Sequence, residues 1–204
     1  MSLTNTQLND LAKRMKVPLE AVVFKSELVG MKLKHNRSYI INLDDEFDED
    51  GKLNDGSHYT CFQSNKNVNG KVENIYFDSF GVDCPKEVLS FLGVKHVPYN
   101  TKDIQSIQLG FCGWACLAFL YYINVYPDRT KSLYDDCEHF TDLFHDLNKS
   151  SDHKYNEFVL KCSFRPSDPK LREKYPLSIF GKDDIQNIAD PNSITKREVF
   201  KFYF

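Results

Sequence analysis

The most apolar stretch of the chain, FCGWACLAFLYYINV at residues 111–125, constrains the fold more than any other segment. Its apolar side chains recur at helical spacing and predict a buried helix: Cys116, Leu117, Phe119, Leu120 and Ile123. Cys112 and Gly113 stand where this helix would begin, and a glycine there would let a neighbouring backbone approach closely. We therefore expect the chain to pack around a helix that starts with Cys-Gly.

Cys112 has the position of a reactive thiol. A thiolate is a good nucleophile only where its pKa is lowered, and the first turn of a helix lowers it because unpaired backbone N–H groups and the helix dipole favour the anion. The alternative is that Cys112 is a small core residue, as most free cysteines are. Residues elsewhere in the chain decide between these interpretations.

A cysteine nucleophile needs an imidazole base, an acceptor that orients the base, and donors for the oxyanion. His58 lies in GSHYTCF, just before a predicted strand, and Asp78 ends the apolar strand of NIYFD. Gln105 stands seven residues before Cys112 and offers an amide N–H, while Gln108, four residues before it, is the rival for that role.

Each of these residues also has an ordinary interpretation. His58 could be a histidine at a strand end, Asp78 a turn former and Gln105 a solvated loop residue. Their order and spacing ahead of Cys112 together favour catalysis over three unrelated coincidences.

The succession of His-aromatic, an aromatic strand ending in Asp-Ser-Phe-Gly, then Gln, six residues and Cys-Gly resembles the adenovirus maturation protease family. It is most similar to the branch found in virophages and Polinton-type viruses, which is distantly related to the proteases that process ubiquitin-like modifiers. The resemblance extends to the segments 23–28 and 39–43, which read like the family's lead-in before the histidine. It covers about residues 20–125.

This resemblance implies a role for each residue that matches the motif. Cys112 would be the nucleophile, His58 the general base and Asp78 the acid that orients it. Gln105 would donate to the oxyanion beside the backbone N–H of Cys112.

The implied function is that of a viral cysteine endopeptidase that trims capsid and other virion precursor proteins at sites with small residues, such as Gly-Gly. It would work without a metal or an organic cofactor, in the virion and at the intracellular assembly site. Two alternatives stay open: a deubiquitinase- or deSUMOylase-like processing protease that uses the same residues, and a catalytically silent virion scaffold protein.

Two departures from the family pattern affect substrate choice and activation. Many relatives carry Trp after the histidine, where it walls a narrow channel, whereas this chain has Tyr59, so Tyr59 is a candidate substrate contact with altered selectivity. The cysteine that joins the activating peptide in the adenovirus enzyme corresponds to Val94, and Cys84 is displaced from it by ten residues. We therefore expect activity without a disulfide-linked peptide.

The sequence predicts one α+β domain over residues 1–204, with a mixed, largely antiparallel central sheet flanked by helices. Hydrophobic residues make up 41% of the chain, enough to bury one good core. Predicted helices cover about 4–15, 85–92, 138–148 and the segment from 112; predicted strands lie near 39–43, 96–99 and on both sides of an Asn69-Gly70 turn. The last third is expected to be more helical and polar.

The composition of the chain indicates which partners to expect among membranes, metal ions and DNA. No apolar run is long enough to span a bilayer, and the six cysteines show no paired framework, so we expect reduced thiols and no membrane. No Cys-x-x-Cys pair suggests a zinc site. Six acids fall in the loop at 44–50, interpreted as solvated, and the remaining charge of about +3 predicts at most weak DNA binding by a monomer.

Overall fold

The chain folds as α+β, with a four-stranded mixed sheet flanked by helices. A computed structural model describes residues 3–52, 57–105, 110–125, 132–148 and 150–164. The strands are β1 (Leu19–Phe24), β2 (Arg37–Asn42), β3 (Tyr59–Lys66) and β4 (Val72–Phe77). The helices are α1 (Asn5–Arg14), α2 (Lys86–Leu92), α3 (Cys112–Val125), α4 (Leu133–Thr141) and α5 (Ser150–Ser163), with a 3₁₀ helix over Lys25–Gly30.

The sheet has the strand order β1-β2-β3-β4. β1 pairs with β2 in parallel, and the other two pairings are antiparallel. The predicted turn at Asn69-Gly70 is confirmed: the N–H of Gly70 donates to the carbonyl of Asn67 at 2.9 Å, and Gly70 takes the left-handed conformation that the turn requires. A long hairpin therefore joins β3 to β4.

Alternate residues of the strands build a core on each face of the sheet, as the two-residue period of a strand requires. One face packs on α1, α3, α4 and α5 and includes Ile40, Cys61, Ile75 and Phe77. The other face packs on α2 and the 3₁₀ helix and includes Tyr39, Ile41, Phe62 and Tyr76. The helix predicted from residue 112 is confirmed as α3. Its residues 115–123 are all buried, as expected of a helix that is apolar on all sides.

The N-terminal helix is confirmed and begins as its sequence predicts. The N–H of Gln7 donates to the Thr4 hydroxyl at 3.2 Å, and the Gln7 side chain accepts the N–H of Thr4 at 2.9 Å. This reciprocal pair satisfies two N–H groups that a helix start leaves without partners. The helix at 85–92 is also confirmed, with Pro85 as its N-cap and Gly93 after its end.

Two predicted elements were wrong in extent. The helix predicted over 138–148 is α4, which begins earlier, at Leu133, and ends at Thr141, because the chain then makes tight turns that still bury Leu143 and Phe144. The strand predicted at 96–99 is reduced to one parallel bridge between Tyr76 and Tyr99. Pro98 explains this, since its carbonyl accepts the N–H of Tyr76 but its own nitrogen cannot donate to a ladder. The remainder of the predicted C-terminal third, 165–204, lies outside the described residues.

Gly81 allows a second segment to cross the turn that follows β4. Its φ is +68°, and a Cβ placed on it would lie 2.7 Å from the carbonyl oxygen of Thr101. Beside it, the N–H of Ile104 donates to the carbonyl of Ser79 at 2.9 Å. The segment 100–105 therefore lies directly against residues 78–81.

Replacing Gly81 by alanine should destabilise the protein more than the same change at Gly93. Both glycines have a φ of +68°, but nothing lies within 4 Å of a Cβ on Gly93. Gly93→Ala should lower the free energy of unfolding by about 1–2 kcal/mol through left-handed strain alone. Gly81→Ala adds steric repulsion and should lower it by roughly 2–5 kcal/mol. Chemical denaturation measures both, and equal losses would contradict the close approach to Thr101.

Candidate active site

The hairpin brings His58 and Asp78 together. His58 immediately precedes β3 and Asp78 immediately follows β4, and because these strands are antiparallel, with Cys61 opposite Phe77, both residues lie at the same end of the sheet. His58 Nε2 lies 2.8 Å from Asp78 Oδ1. A separation of twenty residues along the chain thus becomes a direct hydrogen bond.

Asp78 is held by more than the imidazole. Its side chain is buried, and Oδ1 also accepts the N–H of Phe80 at 2.8 Å. The side-chain amide of Asn100 binds the backbone of Asp78 on both sides. Asn100 Oδ1 accepts the N–H of Asp78 at 2.9 Å, and Asn100 Nδ2 donates to the Asp78 carbonyl at 2.6 Å. The Phe80 ring packs on the His58 ring with centroids 4.6 Å apart. These contacts fix both the carboxylate and the imidazole that it orients.

Cys112 reaches the same place from α3. It is the first residue of that helix, whose start packs on the start of β3: a Cβ on Gly113 would lie 3.5 Å from Tyr59 Cδ2 and 3.4 Å from Leu8 Cδ2. The close neighbours of Gly113 are therefore side chains rather than the backbone that the sequence suggested. His58 and Cys112 lie close enough that each shifts the pKa of the other. Since Nε2 is engaged by Asp78, Nδ1 is the nitrogen that remains for the sulfur.

The two partners have opposite pKa shifts. Burial opposes charge on His58, but the hydrogen bonds to Asp78 and Cys112 outweigh it and raise the pKa of His58 to about 9. Burial likewise opposes the Cys112 thiolate, but hydrogen bonds from His58 and from the backbone N–H groups of Tyr59 and Gly113 bring the pKa of Cys112 below its ordinary value. Both shifts favour a thiolate beside an imidazolium over the neutral pair, and this is the charge state of an activated cysteine nucleophile.

Gln105 joins this cluster through Ser79. It is only 4% exposed, and its Oε1 accepts the Ser79 hydroxyl at 2.9 Å. Ser79 directly follows Asp78 in the chain. Gln105, the predicted oxyanion donor, is therefore hydrogen-bonded to the neighbour of Asp78, the predicted acid. Gln108, the rival for the oxyanion role, lies outside the described residues.

Tyr59 is largely covered, which limits its predicted contact with substrate. It is 7% exposed, and its hydroxyl donates to Asn5 Oδ1 of α1 at 2.6 Å. The residue after the histidine thus attaches the N-terminal helix to the site. Only the small exposed part of its surface is available to a substrate.

The four other described cysteines have raised pKa values, in contrast to Cys112. All five cysteines whose side chains are described are free. Cys116, one turn further along α3, donates its thiol to the Tyr59 carbonyl at 3.3 Å, and burial raises its pKa well above the ordinary value. Burial also raises the pKa of Cys137, and that of Cys84 to about 12. Their environments leave them as thiols.

The described residues form neither a metal site nor a membrane-spanning helix. Within the described part of the chain, no three His, Cys, Asp or Glu residues are placed to hold a metal ion. His145 Nδ1 lies 3.3 Å from Asp152 Oδ1, and its ring stacks on Tyr155. No described helix is both long and apolar enough to cross a membrane.

Sequence reasoning missed the residues that support the site. Asn100, Ser79 and Phe80 act through contacts with residues far away in the chain or through backbone groups, and no local pattern marks them. The Asp-Ser-Phe-Gly run was the one available signal, and it pointed to a turn without showing what the turn holds.

A scan against protein-family models and a search of curated proteins found no match for this chain. The roles assigned to these residues therefore depend on the geometry of the site.

The pKa shifts predict that Cys112 is the most reactive of the five thiols that the structure describes. Its alkylation by iodoacetamide should be fast at neutral pH and should rise through a pKa below the ordinary 9.0 of a thiol. In His58→Ala that apparent pKa should move up, because a hydrogen bond and a positive charge are lost. Peptide mapping by mass spectrometry at several pH values measures the rate at each cysteine.

Cys84 is the internal control, since its raised pKa should keep it slow in both proteins. An unchanged pH profile in His58→Ala, or equal rates at Cys84 and Cys112, would contradict the ion pair.

Proposed function

We propose that this chain is a cysteine endopeptidase, with Cys112 as nucleophile, His58 as general base and acid, and Asp78 as the residue that orients the imidazole. The observation that carries the proposal is the thiol–imidazole–carboxylate arrangement, in which the pKa of the thiol is lowered and that of the imidazole is raised. Perturbed pKa values of neighbouring groups at one location are typical of catalytic residues.

The chemistry follows from this arrangement. The Cys112 thiolate attacks the scissile carbonyl carbon, and the negative charge moves to the carbonyl oxygen, where the Gln105 amide and the Cys112 backbone N–H donate to it. Collapse breaks the C–N bond while the His58 imidazolium gives its proton to the leaving amine. Water, deprotonated by His58, then attacks the thioester, and breaking the C–S bond releases the carboxyl product and restores the Cys112 thiolate beside the His58 imidazolium.

We further propose that the substrates are capsid and other virion precursor proteins, cleaved at sites with small residues such as Gly-Gly, in the virion or at the assembly site of an infected cell. The support is that the residues assigned by the resemblance to the adenovirus-type maturation proteases lie in one connected cluster. Gln105 accepts a hydrogen bond from Ser79, which follows Asp78 in the chain. Asp78 is hydrogen-bonded to His58, and His58 lies beside Cys112. The charge balance supports cleavage that does not require DNA.

Incubation with precursor proteins tests the proposal. The purified protein is mixed with capsid precursors of its own virus, and new chain termini are mapped by mass spectrometry. Cleavage at small-residue sites that Cys112→Ala abolishes would support maturation activity. Hydrolysis of ubiquitin-like modifier conjugates alone would favour a deconjugase, and no hydrolysis of either class would favour a silent scaffold.

The site assignment predicts a graded series of losses. Cys112→Ala and His58→Ala should each remove essentially all turnover, and Asp78→Asn should be milder because the imidazole remains. Gln105→Ala should lower kcat by roughly 10²–10³ with little change in KM, since it removes one oxyanion donor. Cleavage of a fluorogenic Gly-Gly peptide provides both constants.

Cys116→Ala is the matched control for Cys112→Ala. It removes a buried thiol from the same helix, one turn away, without touching the base. Its activity should remain close to that of the unmodified protein. Equal losses in the two cysteine variants would rule out Cys112 as the nucleophile.

A further inference from the structure

The hydroxyl of Ser79 meets the side chain of Gln105 inside the protein. Ser79 is fully buried, Gln105 is 4% exposed, and Ser79 Oγ donates to Gln105 Oε1 at 2.9 Å. A buried hydroxyl that donates to an amide oxygen fixes which end of that amide faces which way. With Oε1 held at Ser79, the two N–H donors of Gln105 are turned away from it.

We propose that Ser79 is a positioning residue that sets the orientation of the Gln105 amide, so that N–H and not C=O is presented to the forming oxyanion. This inference rests on the proposed cysteine peptidase function. An oxygen facing the oxyanion would repel it, whereas a preorganised donor stabilises it at no reorganisation cost. Ser79 is fully buried, and in this role it acts through Gln105.

The backbone around Ser79 makes this orientation rigid. The Ser79 carbonyl accepts the N–H of Ile104 at 2.9 Å, so the segment that carries Gln105 is attached to Ser79 at two successive residues. On the other side, Asn100 holds the backbone of Asp78. One dipeptide, Asp78-Ser79, therefore orients the imidazole through its first side chain and the oxyanion donor through its second.

A second buried serine supplies a matched control. Ser38 Oγ donates to Gln63 Oε1 at 2.5 Å, and both residues are buried. Ser38 pairs with Gln63 toward one end of the β2–β3 ladder, whereas Tyr59, beside the site, pairs with Asn42 at the other. Ser38→Ala removes the same kind of Ser–Gln hydrogen bond away from the catalytic cluster.

The experiment compares Ser79→Ala, Gln105→Ala, the double variant and Ser38→Ala in the full chain. Steady-state cleavage of a Gly-Gly peptide measures kcat and KM, and iodoacetamide measures the reactivity of Cys112. Alkylation displaces iodide and forms no oxyanion, so it reports the thiolate without the oxyanion donor. Thermal unfolding of each variant accounts for effects on stability.

We expect Ser79→Ala to lower kcat roughly tenfold with KM and alkylation rate unchanged, as the loss of one hydrogen bond would. In the Gln105→Ala background the same change should cost less than about twofold, because the group that Ser79 orients is absent. Ser38→Ala should retain the kcat of the unmodified protein. Ser79→Cys, a near-isosteric change with a weak donor, should give an intermediate kcat and provides the test if Ser79→Ala fails to fold.

Two results would overturn the inference: a kcat in Ser79→Ala and Ser79→Cys equal to that of the unmodified protein, or a full tenfold loss that persists without Gln105. Either would leave the proposed peptidase standing. Absence of cleavage and of selective Cys112 alkylation in the unmodified protein would instead remove the proposed function itself.

Discussion

The hydrogen bond between His58 and the buried carboxylate of Asp78 is the interaction on which the site depends. A carboxylate removed from water costs free energy unless hydrogen bonds and an opposite charge compensate it. Here the imidazole and the Phe80 N–H supply that compensation, while Asn100 holds the backbone of Asp78 in place. The carboxylate in turn supports a proton on His58, and the charged ring lowers the pKa of Cys112.

The fold provides this interaction by bringing together the ends of three secondary-structure elements. The start of β3, the end of β4 and the start of α3 converge: His58 immediately precedes β3, Asp78 immediately follows β4 and Cys112 is the first residue of α3. The strands are fixed by cores on both faces and α3 by burial on all sides, so the site stands on rigid elements. Gly81 then lets the segment 100–105 pack across the turn and bring Gln105 beside Ser79.

The sequence predicted the parts of this arrangement that have a periodic or local signal. The strand that follows His58, the strand that ends before Asp78, the Asn69-Gly70 turn and the apolar helix after Cys112 each follow from short-range chemistry. The contacts of Asn100 with Asp78 and of Ser79 with Gln105 join residues 22 and 26 apart, and no spacing rule marks them. Pro98 ended the expected strand, and tight turns replaced the end of the helix expected at 138–148.

The most direct test of this account is an NMR titration of the His58 imidazole in the unmodified protein and in Cys112→Ala. We predict that His58 stays protonated through neutral pH and loses its proton at about 9, because Asp78 and the Cys112 thiolate both favour the cation. In Cys112→Ala the pKa should be lower, since one hydrogen bond and one negative charge are gone. A neutral His58 at pH 7 in the unmodified protein, or the same pKa in both proteins, would contradict the ion pair.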